Sequence, residues 1–257
     1  MILIDSDNAM GSRMGDVDDG LAIAAVLRGG VPVAGLSSVG GNTSEAKADR
    51  NNRTLGVLCG YPGPYFRGLR AVDVETADPL RVLALGPLTN VASLLERAER
   101  ISEVVLVGGN ASSPGRFPPW WPHEFNLTHD RPAARAVFDS SLSLTVVPLD
   151  VARRMRVGTR ELAELRGELG EYLRRKSARW LLRSRLVRWS SSFPAFDLPA
   201  AMYILEPSLI EVEETTARVH RNLWIEFGHG GRPVRLVRGF DPEELWRRFA
   251  DRINLRL

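Results

Sequence analysis

The sequence predicts an α/β fold: an open, mainly parallel Rossmann-like sheet with helices on both faces and a C-terminal β-ribbon. Three observations carry this expectation. Short, continuously apolar runs recur along the chain, the pattern of strands buried on both faces. Helix-length stretches separate them, as crossovers between parallel strands require. The first four apolar runs each lead into acidic, glycine-rich or amide-bearing residues, which gathers polar groups at the carboxyl rim where open parallel sheets bind ligands.

The elements follow in order. Residues 2–4 read as the first strand and 20–27 as the helix after it. Residues 33–39 form the second strand and 44–58 the second helix, with Ser44 and a following glutamate as its start signal. A strand at 82–85 precedes a helix at 90–98, and a strand at 104–107 precedes a helix at 132–138, where Asp130 caps and Pro132 sits in the first turn. Residues 144–147 make the fifth strand, and 160–189 a long helix rich in arginine. Residues 210–227 alternate as a β-ribbon, and His229-Gly-Gly231 turns the chain into a strand at 234–237. Asp241 and Pro242 then open a closing helix. No repeat or low-complexity linker interrupts this order, so a single domain spanning 1–257 is expected.

Composition narrows the classes. With 257 residues, 44% of them hydrophobic, the chain can bury one sizeable core. No run reaches the roughly 18 to 20 continuous apolar residues that span a bilayer, and the start MILIDSDN lacks a basic region ahead of an apolar stretch. Neither a membrane span nor a signal peptide is expected. Cys59 is the sole cysteine, which rules out an intramolecular disulfide and makes a reducing cytoplasm the expected compartment. The net charge of +3 is modest and arginine-based, since lysine occurs only at 47 and 176. Residues 153–189 interleave basic residues with tryptophan, a pattern open to nucleic acid. Glutamates at 161, 164, 168 and 171 break it, however, and apolar residues recur at helical spacing, so an amphipathic helix facing solvent or another subunit is expected instead.

The chemistry concentrates in the stretch ILIDSDNAMGSRMGDVDDGLAIAAVL, where Asp5, Asp7, Asp16, Asp18 and Asp19 fall within fifteen residues. Carboxylates this close repel one another and raise one another's pKa, so the turn is either solvated or built around a cation. Asp18 and Asp19 open a helix and can lean on its dipole, but several together call for a hard cation with oxygen ligands, calcium or magnesium. No histidine lies in the turn and Cys59 is far from it, which disfavours zinc.

With its neighbours, this stretch resembles the calcium-dependent nucleoside hydrolases of the inosine-uridine-preferring type. The family's strand, DxD, glycine turn and DD pair read here as Asp5-Ser-Asp7 and Asp18-Asp19. The resemblance extends over nearly the whole chain, through VGGN ending at Asn42 with Asn51 beyond it, PYFRG (64–68), LGPLTN (85–90) and VVLVGGN (104–110). HEFNLTHDRPAA (123–134), LTVVPLDV (144–151) and PAFDLPAAMYILEPS (194–208) continue it. It implies hydrolysis of the N-glycosidic bond of ribonucleosides to ribose and free base, in nucleoside salvage, by a homodimer or homotetramer. It implies a Ca2+ ion held by Asp7, Asp19, the backbone carbonyl of Thr89 and Asp197, with Asp7 also the base that activates water. Asp18, Asn42, Glu124, Asn126 and Asp197 would hold the sugar, and Phe196, with Trp120 and Trp121, would stack on a purine.

Three positions depart from the family pattern. The turn from Asp7 to Asp18 is longer, Pro118 replaces a sugar-binding asparagine, and Phe196 stands where one subgroup has a histidine leaving-group acid. His123 and His229 are the alternative proton donors. Two rival functions start from the same residues. A haloacid dehalogenase-type phosphatase also begins with DxD, but it requires a lysine that neither Lys47 nor Lys176 is placed to supply. A catalytically silent nucleoside- or sugar-binding protein of this fold is the other, and retention of every acidic ligand argues against it.

Overall fold

A computed structural model of the chain describes residues 1–12, 15–69, 76, 78–111 and 124–255. In chain order its strands are β1 (Ile2–Ser6), β2 (Val33–Ser38), β3 (Tyr65–Arg67), β4 (Leu80–Ala84), β5 (Ile101–Val107), β6 (Leu144–Val147), β7 (Arg156–Gly158), β8 (Ser192–Pro194), β9 (Ile210–Val219), β10 (Ile225–Phe227) and β11 (Arg232–Phe240). The helices are α1 (Asp18–Leu27), α2 (Glu45–Leu58), α3 (Thr89–Ser93), α4 (Phe125–His129), α5 (Arg131–Asp139), α6 (Leu149–Ala152), α7 (Thr159–Glu164), α8 (Gly167–Arg188), α9 (Leu198–Leu205) and α10 (Pro242–Asn254).

Among the described residues nine strands form one sheet in the order β10-β9-β11-β6-β5-β4-β1-β2-β3. From β3 to β11 every neighbouring pair is parallel; β9 and β10 add an antiparallel edge. The short β1 shows why its run is apolar throughout. Ile2 and Ile4 point into one cluster with α1, α8, α9 and α10, while Leu3 points into the other with Val91, Leu94, Val137 and Phe138. Both faces are therefore covered, as alternation of side chains along a strand demands. Each fully buried leucine or isoleucine contributes roughly 1.5–3 kcal/mol, so a strand with no polar face is stable only in the middle of such a sandwich.

The expected parallel sheet, flanking helices and C-terminal ribbon are all present, with some boundaries moved. The long helix at 160–189 is two helices. α7 ends where Leu165 turns extended, and α8 starts at Gly167, whose φ of +71° belongs to the left-handed region that glycine enters freely. The helix at 90–98 stops at Ser93 and continues as a 3-10 turn, Leu95–Arg100, broken at Arg97. β3 and the β7–β8 pair had no periodicity to betray them, being three residues each. The cap expectations divide. Asp130 accepts from the Ala133 N–H and Asp241 from Glu243 and Glu244, whereas Ser44 occupies the cap position of α2 without a side-chain cap bond, and Glu45 pairs with Arg67 instead.

Leu169, Leu173, Trp180 and Leu181 bury one face of α8, as an amphipathic helix should, but Leu182, Leu186, Val187 and Trp189 remain exposed at its end. Among the described residues no helix is long and apolar enough to cross a membrane.

Candidate active site

Across the sheet, β1 lies between β2 and β4, so the strand order reverses at that point. Where it reverses, the crossover helices leave to opposite faces and open a crevice at the carboxyl ends of the strands, the place where this architecture binds ligands. Asp7 follows β1 and Gly86 follows β4, one on each side of that crevice.

Asp7 is completely buried, and its surroundings are shaped to its carboxylate. Asn42 donates its backbone N–H to Asp7 Oδ2. A Cβ on Gly41 would overlap that same oxygen, and one on Gly86 would come within 3.1 Å of Oδ1 and 3.0 Å of the Asp7 nitrogen. The glycines of VGGN and LGPLTN thus serve as seats that let two loops close on the side chain. Burial, opposed by the Asn42 N–H and reinforced by Asp16 and Asp5, pushes the Asp7 carboxyl up to about 7. Behind it Asp5, also fully buried, accepts hydrogen bonds from Ser37 Oγ (2.6 Å) and Asn90 Nδ2 (2.8 Å); burial still raises its pKa to about 6.

Two helix starts bring the remaining carboxylates together. Asp18 and Asp19 occupy the first turn of α1, and Asp197 immediately precedes α9, which packs beside α1 in the same apolar cluster. Each of the three offers an oxygen within 4.8 Å of the others. None caps its own helix by a side-chain hydrogen bond, so the carboxylates face one another at two positive helix ends. Burial first, then the neighbouring carboxylates, holds all three well above the ordinary carboxyl range. Asp7 stands beside this trio, close enough for its charge to act on both Asp19 and Asp197.

The arrangement fits a hard cation. Among the described residues, Asp7 Oδ1 and both Asp19 oxygens are buried with no hydrogen-bond partner, a costly state for acceptors unless a positive charge sits between them. The donors are carboxylate oxygens without histidine or cysteine, which suits calcium or magnesium rather than zinc.

Around this centre the other expected residues take various places. Glu124 is buried at the start of α4, where Oε2 accepts from the Leu127 N–H at 2.5 Å and Oε1 would lie 3.1 Å from a Cβ on Gly108; burial pushes its carboxyl up to about 8. Asn126 Nδ2 donates to the carbonyls of Leu85 (3.0 Å) and Val107 (3.3 Å), tying the ends of β4 and β5 together. Asn42 has an exposed side chain and reaches the centre through its backbone. Phe196, half-buried, packs on the core beside Asp197. Thr89 is exposed and its hydroxyl donates to Asp130 at 2.7 Å. Pro118, Trp120, Trp121 and His123 lie outside the described residues. His220 stacks on Trp224 at 4.4 Å and sits 3.1 Å from Glu226, and His129 packs against Phe125.

Sequence reading missed the polar layer beneath the site. Asn8, Asn52 and Asn90 are buried, and each bonds to the ends of β1 or β2 or to the turn that follows. A signal existed for Asn52, since an asparagine inside a helix is unfavourable without a tertiary partner. Asn51, beside it, donates to the Asn8 carbonyl at 2.8 Å.

Comparison with known proteins places the chain. Residues 69–247 match the family model described as inosine-uridine preferring nucleoside hydrolase. The non-specific ribonucleoside hydrolase RihC of Klebsiella pneumoniae subsp. pneumoniae is 32% identical over 156 residues, 58% of this chain and 49% of that protein. The chain thus spans about half the length of this curated relative. Among solved structures, a plant nucleoside hydrolase (PpNRh1) matches over 99% of both chains with a TM-score of 0.81 at 20% identity. An inosine-guanosine nucleoside hydrolase matches over 100% of this chain and 99% of its own, with a TM-score of 0.82 at 17% identity. At such identities these two likenesses speak for the fold, and the matched family model carries the assignment: this chain belongs to the inosine-uridine preferring nucleoside hydrolase family.

Proposed function

We propose that the chain, acting as one domain, hydrolyses the N-glycosidic bond of ribonucleosides to ribose and free base, with Asp7 as the general base. The observation that carries this reading is the buried carboxylate cluster at the sheet's switch point, with Asp7 Oδ1 and both Asp19 oxygens unpaired. Asp7, Asp19 and Asp197 would hold a Ca2+ ion, together with a main-chain carbonyl from the 85–89 segment, where Thr89 is the residue the family pattern names. When bound, such a cation supplies positive charge that orients a neighbouring water and makes it more acidic.

The protein's own groups do the rest. The C1′–N bond breaks with its electron pair leaving on the base, and a water oxygen bonds to C1′. Asp7 takes a proton from that water, whose acidity the neighbouring positive charge would raise. The leaving base gains a proton. Asp18, Asp197, Asn126, Glu124 and the Asn42 segment would hold the ribose hydroxyls and stabilise the positive charge that develops on the sugar. Phe196, next to Asp197 in the chain, would stack on a purine. A homodimer or homotetramer is supported by the apolar end of α8, where Trp189 is 92% exposed. The lone, buried Cys59 suits a reducing compartment such as the cytoplasm, and nucleoside salvage is the natural setting.

A reducing-sugar assay over a panel of nucleosides tests this. Ribose release is expected from the parent, lost on chelation, and lowered at least ~100-fold by Asp7→Ala, the usual scale for a general base. Inosine should be preferred to uridine in kcat/KM. Wild-type rates from Asp7→Ala would remove it from the mechanism, and a clear preference for uridine would remove Phe196 from base recognition. Cation binding without ribose release from any nucleoside would point to the silent binding protein instead.

A further inference from the structure

We propose that Asn52, on α2, is a positioning residue of this site: it fixes Asp7 by gripping the residues on either side of it. The inference rests on the reading of Asp7 as a cation-holding residue. It concerns a group that touches neither cation nor substrate.

Asn52 is fully buried, and its amide is used on both sides. Nδ2 donates to Ser6 Oγ (3.1 Å), at the end of β1, and to Ser38 Oγ (3.0 Å), at the end of β2. Oδ1 accepts from Asn8 Nδ2 at 2.9 Å. Ser6 and Asn8 are the two neighbours of Asp7, so one side chain from a helix holds the side chains of the residues before and after it. Asn8 passes the constraint onward: its Oδ1 accepts from the Met10 N–H (3.0 Å), and its carbonyl accepts from Asn51 Nδ2 (2.8 Å). The same clasp therefore anchors the first residues of the long turn that leads to Asp18 and Asp19.

A strand end normally hands over to a loop free to adjust. Here Asp7 must present an unpaired oxygen to a centre where like charges push it away, and among the other described residues the Asn42 N–H is the group that bonds its carboxylate. The Asn52 clasp supplies that restraint from below, through groups that carry no charge and so add nothing to the repulsion. Partners that orient a metal ligand from behind typically cost 10–100-fold in metal affinity when removed. Leu55, one turn further along α2, provides the contrast, because it is fully buried in the apolar cluster and serves packing alone.

Calorimetric titration of the whole chain with Ca2+, alongside thermal melts, tests the assignment on the parent, Asn52→Ala, Asn8→Ala and Leu55→Ala. Asn52→Ala should weaken Ca2+ binding about 10–100-fold, and Asn8→Ala, which loses one arm of the clasp, by a smaller factor. Leu55→Ala should lower Tm while leaving the Ca2+ affinity within about twofold, since removing buried methyl groups costs stability without moving Asp7. Unchanged affinity in Asn52→Ala, or a loss in Leu55→Ala as large as in Asn52→Ala, overturns the proposal. If Asn52→Ala does not fold, Asn8→Ala decides, and parental affinity there overturns it equally. A parent that binds no Ca2+ sinks the cation reading and this inference together, whereas a parent that binds and an Asn52→Ala that binds equally sinks this inference alone.

Discussion

Replacing Asp19 with asparagine should make the cation-free protein more stable while abolishing its response to calcium. Both Asp19 oxygens are buried and unpaired, and Asp18 and Asp197 each bring a carboxylate oxygen within 4.8 Å. At that separation and an effective dielectric of about 20, each ionised pair costs ~3.5 kcal/mol. Protonation relieves most of this, because burial already holds these carboxyls well above their usual range, and ~1–2 kcal/mol should remain at mildly alkaline pH. An amide at position 19 removes that residue of repulsion and offers N–H donors to the neighbouring carboxylates. With about 2–4 °C of Tm per kcal/mol in a chain this size, the gain is roughly 2–8 °C. Calcium at about one hundred times its Kd should stabilise the parent by ~2.7 kcal/mol, roughly 5–10 °C, and leave Asp19→Asn where it was. The assay is a thermal melt of both proteins in chelator and in excess Ca2+. An Asp19→Asn that melts below the parent in chelator, or keeps the parental calcium shift, would refute the picture of a strained cluster awaiting a cation.

Two other outcomes follow from the same geometry. Glu124 holds its proton in the fold to about 8 against 4.5 when unfolded, so the folded state binds the extra proton between those values. That contribution is complete below about 4.5 and disappears as pH rises through about 8; at ~1.4 kcal/mol per pH unit it amounts to about 5 kcal/mol. Glu124→Gln keeps an acceptor for the Leu127 N–H, so its Tm should fall less than the parent's between pH 5 and 8, and parallel curves would contradict the raised pKa. Gly41→Ala should weaken Ca2+ binding by at least about 10-fold in a calorimetric titration, because its methyl group would displace the Asp7 carboxylate; parental affinity would mean that Asp7 is not a ligand.

How much of this was legible beforehand depended on how local each signal was. The strands at the centre of the sheet were read within a few residues, because burial on both faces demands an unbroken apolar run. Asp7, Asp18 and Asp19 stood out because a strand end and a helix start each carry their own local marks. The division between α7 and α8 was hidden by mostly helix-favouring composition, in which Gly167, at the break, is followed by Gly170 inside α8. The β7–β8 pair joins Arg156–Gly158 to Ser192–Pro194 across two helices, a pairing that three residues cannot announce. Thr89 shows what a motif leaves open: its side chain turns to solvent and bonds Asp130, while the role expected of it belongs to its main-chain carbonyl.

The amino-acid order by itself determined the central strands, most of the helices and which end of the sheet would carry charge, since hydrophobic period and chain direction are properties of neighbouring residues. Only the tertiary structure decided that Asp197 would meet Asp18 and Asp19, that β11 would lie between β6 and β9, and that Asn52 would reach under Asp7. Those contacts join residues far apart in the chain, and their strength comes from burial, which no local pattern contains until the helices have packed and water has left.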